Sequence, residues 1–251
     1  MKFLTLVLTI TIFFSSSTNA ESIILSDEHR GRNIPIEIYY PDDKTSCTKN
    51  RPCPVVLLSA GYGVSHTKYT FLTELLTHMG YLTVSISHEI TTDPPLSVEG
   101  NLFETRSENW IRGSATLEFV QKNLRTQMPS YDFSQITLIG HSNGGDISAW
   151  LGNENKSYVK KIITLDHRRV PLPKRKHIGV LSIRASDFSA DKGVLPSENE
   201  QVKFSSCVVA IPKSRHNDMS DYGPAWLKQK ISSIVSLYLK HSNCNSLQNS
   251  I

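Results

Sequence analysis

A serine flanked by glycines in the middle of the chain is the best candidate for a chemically reactive group. Residues 136–150 pass from an apolar, β-branched run through the pattern Gly-His-Ser-Asn-Gly at 140–144 into residues at helical spacing. A sharp strand-to-helix turn of this kind strains its central residue and leaves little room beyond glycine at the flanking positions. It also exposes the hydroxyl of the central serine. Ser142 is therefore the candidate nucleophile for attack on an acyl carbon.

A serine hydroxyl is a poor nucleophile unless a base accepts its proton and an anion orients that base. Four histidines follow Ser142 in the chain, at positions 167, 177, 216 and 241. We assign the base to His216, because it lies between the last predicted strand and the last predicted helix. A loop at that position can reach the carboxyl edge of a sheet.

Two aspartates are candidates for the acid that orients the base. The usual chain order for this turn is serine, then acid, then histidine. Asp166 and Asp187 both lie between Ser142 and His216, and each follows a predicted strand. We prefer Asp187 and keep Asp166 as the alternative. The aspartate that does not orient His216 is expected to shape its loop by Asx-type hydrogen bonds.

Attack on an ester creates an oxyanion, which preorganised backbone N–H groups stabilise. The predicted donors are the amide of Asn143, directly after the nucleophile, and the amide of Tyr62 in a Gly-Tyr-Gly loop after an earlier strand. Tyr62, Phe188 and Trp110 are candidates for contact with the substrate. Packing in the core is the alternative role for each of these aromatic rings.

Apolar runs and helical patterns alternate along the chain. Strands are predicted at 22–26, 34–40, 54–59, 81–87, 136–140, 159–165, 178–183 and 207–211, and helices at 69–79, from about 108, after Ser142 and at 224–240. This order predicts an α/β fold, with a mostly parallel sheet of about eight strands and helices on both faces. Such sheets bind ligands at the carboxyl ends of their strands. The polar loop 89–107 is a candidate lid.

Residues 1–20 read as a signal peptide, with Lys2, an apolar stretch at 3–14 and small residues before a cut after Ala20. The alternative is a membrane anchor. However, a stretch of twelve residues (14 − 3 + 1) is too short to span a bilayer, and no cysteine follows the cut to carry a lipid. We therefore expect a secreted or periplasmic protein without a stable membrane anchor. Residues 21–251 would form a single domain of 231 residues (251 − 20).

The charge of this mature chain is nearly balanced. Removal of Lys2 leaves 26 basic and 23 acidic residues, a net charge of +3 (26 − 23), which does not suit a nucleic-acid binder. We expect a monomer. One basic cluster stands out, and its members are His167, Arg168, Arg169, Lys174, Arg175, Lys176 and His177. A solvated surface is the preferred interpretation of this cluster, and attraction of an anionic substrate or membrane surface is the alternative.

Four cysteines, an even number, lie in the mature chain at positions 47, 53, 207 and 244. In an exported chain this predicts disulfides, and of the three possible pairings we favour 47 with 53 and 207 with 244. The first pair would close a Pro-rich loop, and the second would tie the C-terminal tail to the last strand. The sequence lacks the Cys-x-x-Cys and His-Glu-x-x-His spacings, so no metal or other cofactor is expected.

The motifs resemble those of α/β-hydrolases in the dienelactone hydrolase and platelet-activating-factor acetylhydrolase-like group, and also those of cutinase-type polyester hydrolases. The resemblance is carried by Ala-Gly-Tyr-Gly at 60–63, the glycine-flanked serine at 140–145, Leu165-Asp166 and Arg215-His216. It implies an α/β-hydrolase fold and serine hydrolase activity. Residues 186–190 resemble the acid loop of the cutinase-like enzymes, whereas Leu165-Asp166 followed by 171–173 resembles that of the acetylhydrolases.

Two departures from these groups concern the substrate. Asn143 stands where they carry Met or Phe, and the basic cluster replaces an aromatic wall.

The sequence thus predicts a secreted serine hydrolase that cleaves a small-molecule or lipid carboxylic ester through an acyl-enzyme. The alternatives are a lipase or acetylhydrolase, a peptidase, or a non-catalytic binding protein of the same fold.

Overall fold

The computed structural model describes residues 20–241, Cys244 and Leu247. The predicted signal peptide lies outside the described residues except for Ala20, which begins the first strand. Among the described residues, no helix is both long and apolar enough to cross a membrane.

Strands and helices alternate along most of the chain, as the sequence predicts. The strands are β1 (Ala20–Asp27), β2 (Arg32–Tyr39), β3 (Cys53–Ser59), β4 (Leu82–Ile86), β5 (Tyr131–His141), β6 (Val159–Leu165), β7 (Gly179–Arg184) and β8 (Ser206–Ala210). The helices are α1 (Thr70–His78), α2 (Leu102–Gln127), α3 (Asn143–Asn153), α4 (Glu198–Phe204) and α5 (Ala225–His241). Two short 3-10 turns cover Lys44–Ser46 and His216–Asp218.

The strands form one mostly parallel sheet in the order β1-β2-β4-β3-β5-β6-β7-β8. Strands β1 and β2 pair as an antiparallel hairpin, and β2 pairs with β4 in the same sense. All other neighbours are parallel. The carboxyl ends of β3 and β5–β8 therefore meet at one edge, which is where the sequence predicts the site. The predicted α/β class and the number of strands are confirmed.

The sheet separates two apolar cores because successive strand side chains point to opposite faces. On β3, Val55 and Leu57 join one core, whereas Val56 and Leu58 join the other. Helices α2 and α3 cover the first face, and α1 and α5 cover the second. The buried contributors from these helices include Trp110, Leu117, Ile147 and Leu151 on one side and Leu72, Leu76, Ile231 and Ile234 on the other.

Helix α2 begins earlier than the sequence suggests. Its first residue is Leu102, so the last six residues of the predicted loop 89–107 are helical. The Asn101 side chain caps the helix by accepting a hydrogen bond from the Phe103 amide at 3.2 Å. Because residues 103–105 are exposed, the first turn lacks the apolar periodicity that marks the rest of the helix. Arg106 consequently extends from a helix and not from a loop.

Both favoured disulfide pairings are confirmed. Cys47 and Cys53 are joined across the loop before β3, with their Cα atoms 5.1 Å apart. Cys207 on β8 is joined to Cys244 beyond α5, with a Cα separation of 5.3 Å. Two disulfides are compatible with a secreted or periplasmic protein.

Candidate active site

The turn between β5 and α3 holds Ser142 in a strained conformation, with φ 51° and ψ −120°. Glycine is required on both sides of it. A Cβ atom on Gly140 would lie 2.2 Å from the carbonyl oxygen of Gly144, and one on Gly144 would lie 2.3 Å from the carbonyl oxygen of Ser59. The backbone amide of Ser142 donates to the Leu165 carbonyl at 2.9 Å, which anchors the turn to the end of β6.

The structure places His216 against Ser142, as predicted. His216 begins the 3-10 turn that follows β8, and its Nε2 lies 2.9 Å from Ser142 Oγ. Its Nδ1 lies 2.6 Å from Asp166 Oδ2. With the imidazole proton on Nδ1, that nitrogen donates to the carboxylate and Nε2 accepts from the serine hydroxyl. This is the geometry of a nucleophile, a base and an orienting acid.

The Asp166 carboxylate is completely buried at the end of β6. Its second oxygen, Oδ1, accepts a hydrogen bond from the Ala185 amide at 3.1 Å and lies 2.7 Å from Arg184 Nη2. Burial by itself would raise the pKa of this carboxyl. The hydrogen bond to His216 and the charge of Arg184 outweigh burial and hold the pKa below its ordinary value. Asp166 is therefore an anion in the neutral pH range.

The sequence-based preference for Asp187 as the orienting acid is wrong in this structure. Asp187 is exposed, and its Oδ1 accepts from the backbone amide of His216 at 2.9 Å, not from the imidazole. The reason lies in the order of the strands. Strand β6, which Asp166 follows directly, is the neighbour of β5, whereas β7 lies one strand farther away. Asp187 thus has the loop-shaping role expected of the other aspartate.

The two predicted oxyanion donors lie beside the nucleophile. Asn143 is the first residue of α3, so its amide belongs to the helix turn whose N–H groups have no acceptor within the helix. Tyr62 belongs to a loop that packs on the serine turn, since a Cβ atom on Gly61 would lie 2.8 Å from His141 Nδ1 and 3.4 Å from Ser142 Cβ. Tyr62 and Asn143 both line the cavity that contains Ser142 and His216.

The side chain of Asn143 is structural. Its Oδ1 accepts from Trp110 Nε1 at 2.9 Å, and its Nδ2 donates to Asn109 Oδ1 at 2.8 Å and to Glu89 Oε1 at 3.3 Å. Trp110 is completely buried, so its prediction as a substrate contact is wrong. The tryptophan instead fixes the first residue of α3. This leaves the backbone amide as the group through which Asn143 can act on a substrate.

The cavity beside Ser142 has a volume of about 240 Å³ and a largely polar lining. Its walls are formed by Tyr62, Leu96, Val98, Arg106, Ser142, Asn143, Asp146, Arg168, Arg169 and His216. Tyr62 is 42% exposed, and its hydroxyl accepts from the Leu96 amide at 3.1 Å. Phe188 does not line this cavity. It is exposed, and its ring packs against the Arg168 guanidinium at 4.1 Å.

Comparison with known proteins identifies the architecture. No protein-family model matches the chain, and no curated protein matches it by sequence. Among solved structures, a dienelactone hydrolase-like promiscuous phosphotriesterase from metagenomic libraries is similar, with a TM-score of 0.65 at 16% identity over 88% of this chain and 97% of the other. The chain has the α/β-hydrolase fold.

Two esterases are similar to this α/β-hydrolase fold at the same level. Thermogutta terrifontis esterase 2, in a structure phosphonylated by cyclosarin, gives a TM-score of 0.63 at 10% identity, covering 89% of this chain and 95% of that one. The Pyrobaculum calidifontis esterase also gives 0.63, at 15% identity, covering 88% and 84% respectively. All three matches cover most of both chains, so the likeness concerns the whole fold.

The loop 89–98, which contributes Leu96 and Val98 to the cavity, is anchored at its base. Asp93 lies 2.5 Å from Arg32 Nη1 and 3.4 Å from Arg112 Nε, which ties the loop to β2 and α2. Arg32 also donates to the His88 carbonyl at 2.9 Å. The predicted lid therefore divides into a fixed base and a helical end. Leu96 and Val98 lie between them, against the site.

The basic cluster is not a uniform solvated surface, so that preferred interpretation is wrong for three of its members. His167 is fully buried, and Arg168 and Arg169 line the cavity. The interpretation holds for the exposed Lys174, Lys176 and His177. The distinction arises because residues 167–170 follow Asp166 closely across the end of the sheet, whereas the later residues lead back to the other end, where β7 begins.

A buried hydrogen-bonded chain that the sequence does not reveal joins three parts of the site. The Gly61 amide donates to Tyr69 Oη at 2.9 Å, and Tyr69 Oη lies 2.9 Å from His141 Nδ1. His141 Nε2 lies 3.0 Å from the carbonyl oxygen of His216. Burial, with the neighbouring His216, lowers the pKa of His141 to about 3, so the ring is neutral. Its Nε2–H then donates to His216, and its Nδ1 accepts from Tyr69.

Replacing Tyr69 by phenylalanine tests this buried chain. The substitution keeps the ring but leaves the Gly61 amide and His141 Nδ1 without their common partner. We expect the free energy of unfolding to fall by about 1–3 kcal/mol, the cost of an unsatisfied buried polar group. Urea denaturation measures the change, with the exposed Tyr222→Phe as the matched control. Equal stability of the two variants would contradict the contribution of Tyr69.

Proposed function

We propose that the protein is a serine hydrolase that cleaves carboxylic esters through an acyl-enzyme. The observation that carries the proposal is the hydrogen-bonded series from Ser142 Oγ through the His216 imidazole to the buried Asp166 carboxylate. The series lies at the carboxyl edge of the sheet and opens into a cavity. The proteins of similar structure include esterases, which supports the same activity.

Each residue of the series has one role in the proposed reaction. His216 Nε2 accepts the Ser142 proton as Oγ attacks the ester carbonyl, and it returns that proton to the leaving alcohol. Asp166 holds the imidazole in the tautomer that leaves Nε2 free, and its charge stabilises the imidazolium. Water then attacks the acyl-enzyme by the same route and regenerates Ser142.

The negative charge that develops on the carbonyl oxygen needs preorganised donors. We assign this role to the amides of Asn143 and Tyr62, which belong to a helix N-terminus and to a loop packed on the serine turn. The side chain of Asn143 is engaged by Trp110, Asn109 and Glu89, so it holds its own backbone amide in place. Removing one such donor in other enzymes costs about 100-fold to 1,000-fold in kcat.

The size and polarity of the cavity favour a small acyl group over a long lipid chain. Apolar side chains at the cavity are confined to Leu96, Val98 and the Tyr62 ring. Hydrolysis of p-nitrophenyl esters from acetate to palmitate tests both activity and chain length. We expect kcat/KM to be highest for acyl groups of about two to six carbons and to fall at least tenfold by palmitate, since about 240 Å³ lies below the usual range for drug-sized ligands.

A fluorophosphonate label distinguishes a low rate from an absent activity. Stoichiometric labelling at Ser142, lost in Ser142→Ala, is expected from an activated serine. A folded protein that resists the label and hydrolyses none of the esters would contradict the proposed function. Preference for palmitate would instead favour a lipase.

A further inference from the structure

Three guanidinium groups converge on the cavity that contains Ser142. Arg106 extends from the second turn of α2, and Arg168 and Arg169 come from the loop after Asp166. We call these three residues the arginine subsite. They come from two separate segments of the chain, yet they line the same cavity as the nucleophile.

The arginines of the loop have hydrogen-bonding capacity that the described residues do not satisfy. The Nε atoms of Arg168 and Arg169 are buried without a partner among the described residues. Arg168 Nη2 is 3.5 Å from Asp166 Oδ2, at the limit of a hydrogen bond, and Arg169 Nη1 pairs with Asp191. Buried N–H groups of a charged side chain are costly to leave unpaired, so a bound acceptor would stabilise this arrangement.

The third arginine lines the same cavity as the other two. Arg106 uses its Nε to donate to the Ser97 carbonyl at 2.7 Å. Partial burial is the largest cause of the lowered pKa of Arg106, and the charges of Arg169 and Arg168 lower that pKa further, against the opposite effect of Asp146 and Asp191. Like charges held together in a partly buried wall are destabilising unless an anion lies between them.

The acidic groups near the subsite offset its positive charge only in part, because they also bond to other groups. Asp146 lines the cavity, but its Oδ1 accepts from the backbone amides of Arg169 and Val170 at 2.8 and 2.9 Å. Asp166, which Arg168 reaches at 3.5 Å, also bonds to His216 and Ala185 and pairs with Arg184. The side chains that line the cavity therefore carry three guanidinium charges against the one carboxyl of Asp146.

We propose that the arginine subsite binds an anionic oxygen group of the substrate, so that the preferred substrates are esters that carry a carboxylate or sulfonate near the scissile bond. This inference rests on the proposed function and extends it to a substrate class. Guanidinium groups match planar carboxylates with paired hydrogen bonds and also bind tetrahedral oxyanions. The anion would accept hydrogen bonds from the unpaired donors, and its charge would offset the repulsion among the three guanidinium groups.

Matched ester pairs test the subsite from both sides of the scissile bond. Mono-p-nitrophenyl succinate against p-nitrophenyl pentanoate places the charge on the acyl side. On the alcohol side, 4-acetoxybenzoate and 4-acetoxybenzenesulfonate are compared with 4-acetoxybenzamide. We expect kcat/KM to be at least tenfold higher for the anionic member of at least one pair, with a ratio that falls as salt is added.

Arginine variants assign that preference to the subsite. In Arg106→Gln and Arg169→Gln, the ratio of kcat/KM for the anionic and neutral esters should fall about tenfold or more, since each removes a charge-assisted contact. Arg175→Gln is the matched control, because Arg175 belongs to the same basic cluster but donates to the Asn153 carbonyl away from the cavity. A ratio that falls equally in the control would overturn the assignment to these residues.

Binding to the Ser142→Ala protein separates this inference from the proposed function. Calorimetry with monomethyl succinate and the neutral dimethyl succinate needs no turnover, and we expect binding at least tenfold tighter for the anion. Equal binding of the two, together with equal hydrolysis of all the ester pairs, would overturn the anion subsite while leaving the esterase proposal intact. Anion binding without any hydrolysis or labelling would reject the esterase and retain the subsite.

Discussion

Replacement of Ser142 by alanine is expected to lower kcat for ester hydrolysis by about a millionfold, the order of loss seen when a comparable nucleophile is removed. The Oγ atom is the only part of the side chain that reaches the reacting carbon. The fold should persist, because the turn is held by backbone bonds from the Ser142 amide to Leu165 and from the Gly145 amide to Ser142. Alanine keeps the Cβ atom of Ser142 and adds no other, so the close contacts of Gly140 and Gly144 stay as they are.

The measurement is steady-state hydrolysis of p-nitrophenyl acetate with circular dichroism as the check on folding. Ser107→Ala is the control, because Ser107 Oγ bonds only to the Glu104 carbonyl on the surface of α2. Full activity in a folded Ser142→Ala protein would refute the assignment of the nucleophile. Loss of activity in the control would indicate damage unrelated to the site.

Replacement of Asp166 by asparagine should lower kcat by about 10,000-fold, as loss of the orienting charge does in a serine protease. An asparagine Oδ1 can still accept from the Ala185 amide, so the buried loop keeps one of its bonds. The amide cannot supply the negative charge that Arg184 and His216 face. The imidazole then loses the tautomer in which Nε2 accepts the Ser142 proton.

Asp187→Asn provides a matched comparison for this variant. It keeps an oxygen that can accept from the His216 amide, so we expect its kcat to stay within about tenfold of the wild type. Both variants are assayed with the same ester and checked for folding. A larger loss in Asp187→Asn than in Asp166→Asn would reverse the assignment of the acid.

The sequence predicts the sheet well because its strands are dictated locally. The run at 54–59 is apolar at nearly every position, as a strand buried on both faces requires. The glycines around Ser142 identify the serine turn, since steric contact with Ser59 and Gly144 excludes larger residues. His216 follows from chain order, because the last loop must return to the edge where Ser142 lies.

Local sequence pattern does not decide which of the two aspartates orients His216. Asp166 and Asp187 both follow strands, and each lies within reach of the same loop. The decision depends on which strand lies beside β5 and on the direction of the His216 ring. Both are tertiary properties. The buried hydrogen bond between Tyr69 and His141 joins residues that are 72 positions apart, so it gives no periodic signal in the sequence either.

Side-chain direction explains the other errors. Trp110 is a candidate for substrate contact in the sequence because aromatic rings occur both in cores and in binding sites. Its hydrogen bond to Asn143, a tertiary contact, is what identifies it as a core residue. In the sequence, Arg168 and Arg169 belong to a basic run of the kind that is typical of a solvated surface. Their backbone is turned toward the cavity by the bonds that Asp146 accepts from the loop.

The reacting groups and the arginine subsite depend on different parts of the scaffold. Ser142 and Asp166 each follow directly after one of two adjacent strands, whereas Arg106 projects from the second turn of a helix whose start is exposed. Selectivity can therefore be re-engineered separately from catalytic power. A directed-evolution library confined to residues 96–106 would vary Leu96, Val98 and Arg106 in the cavity lining and leave the strand ends untouched.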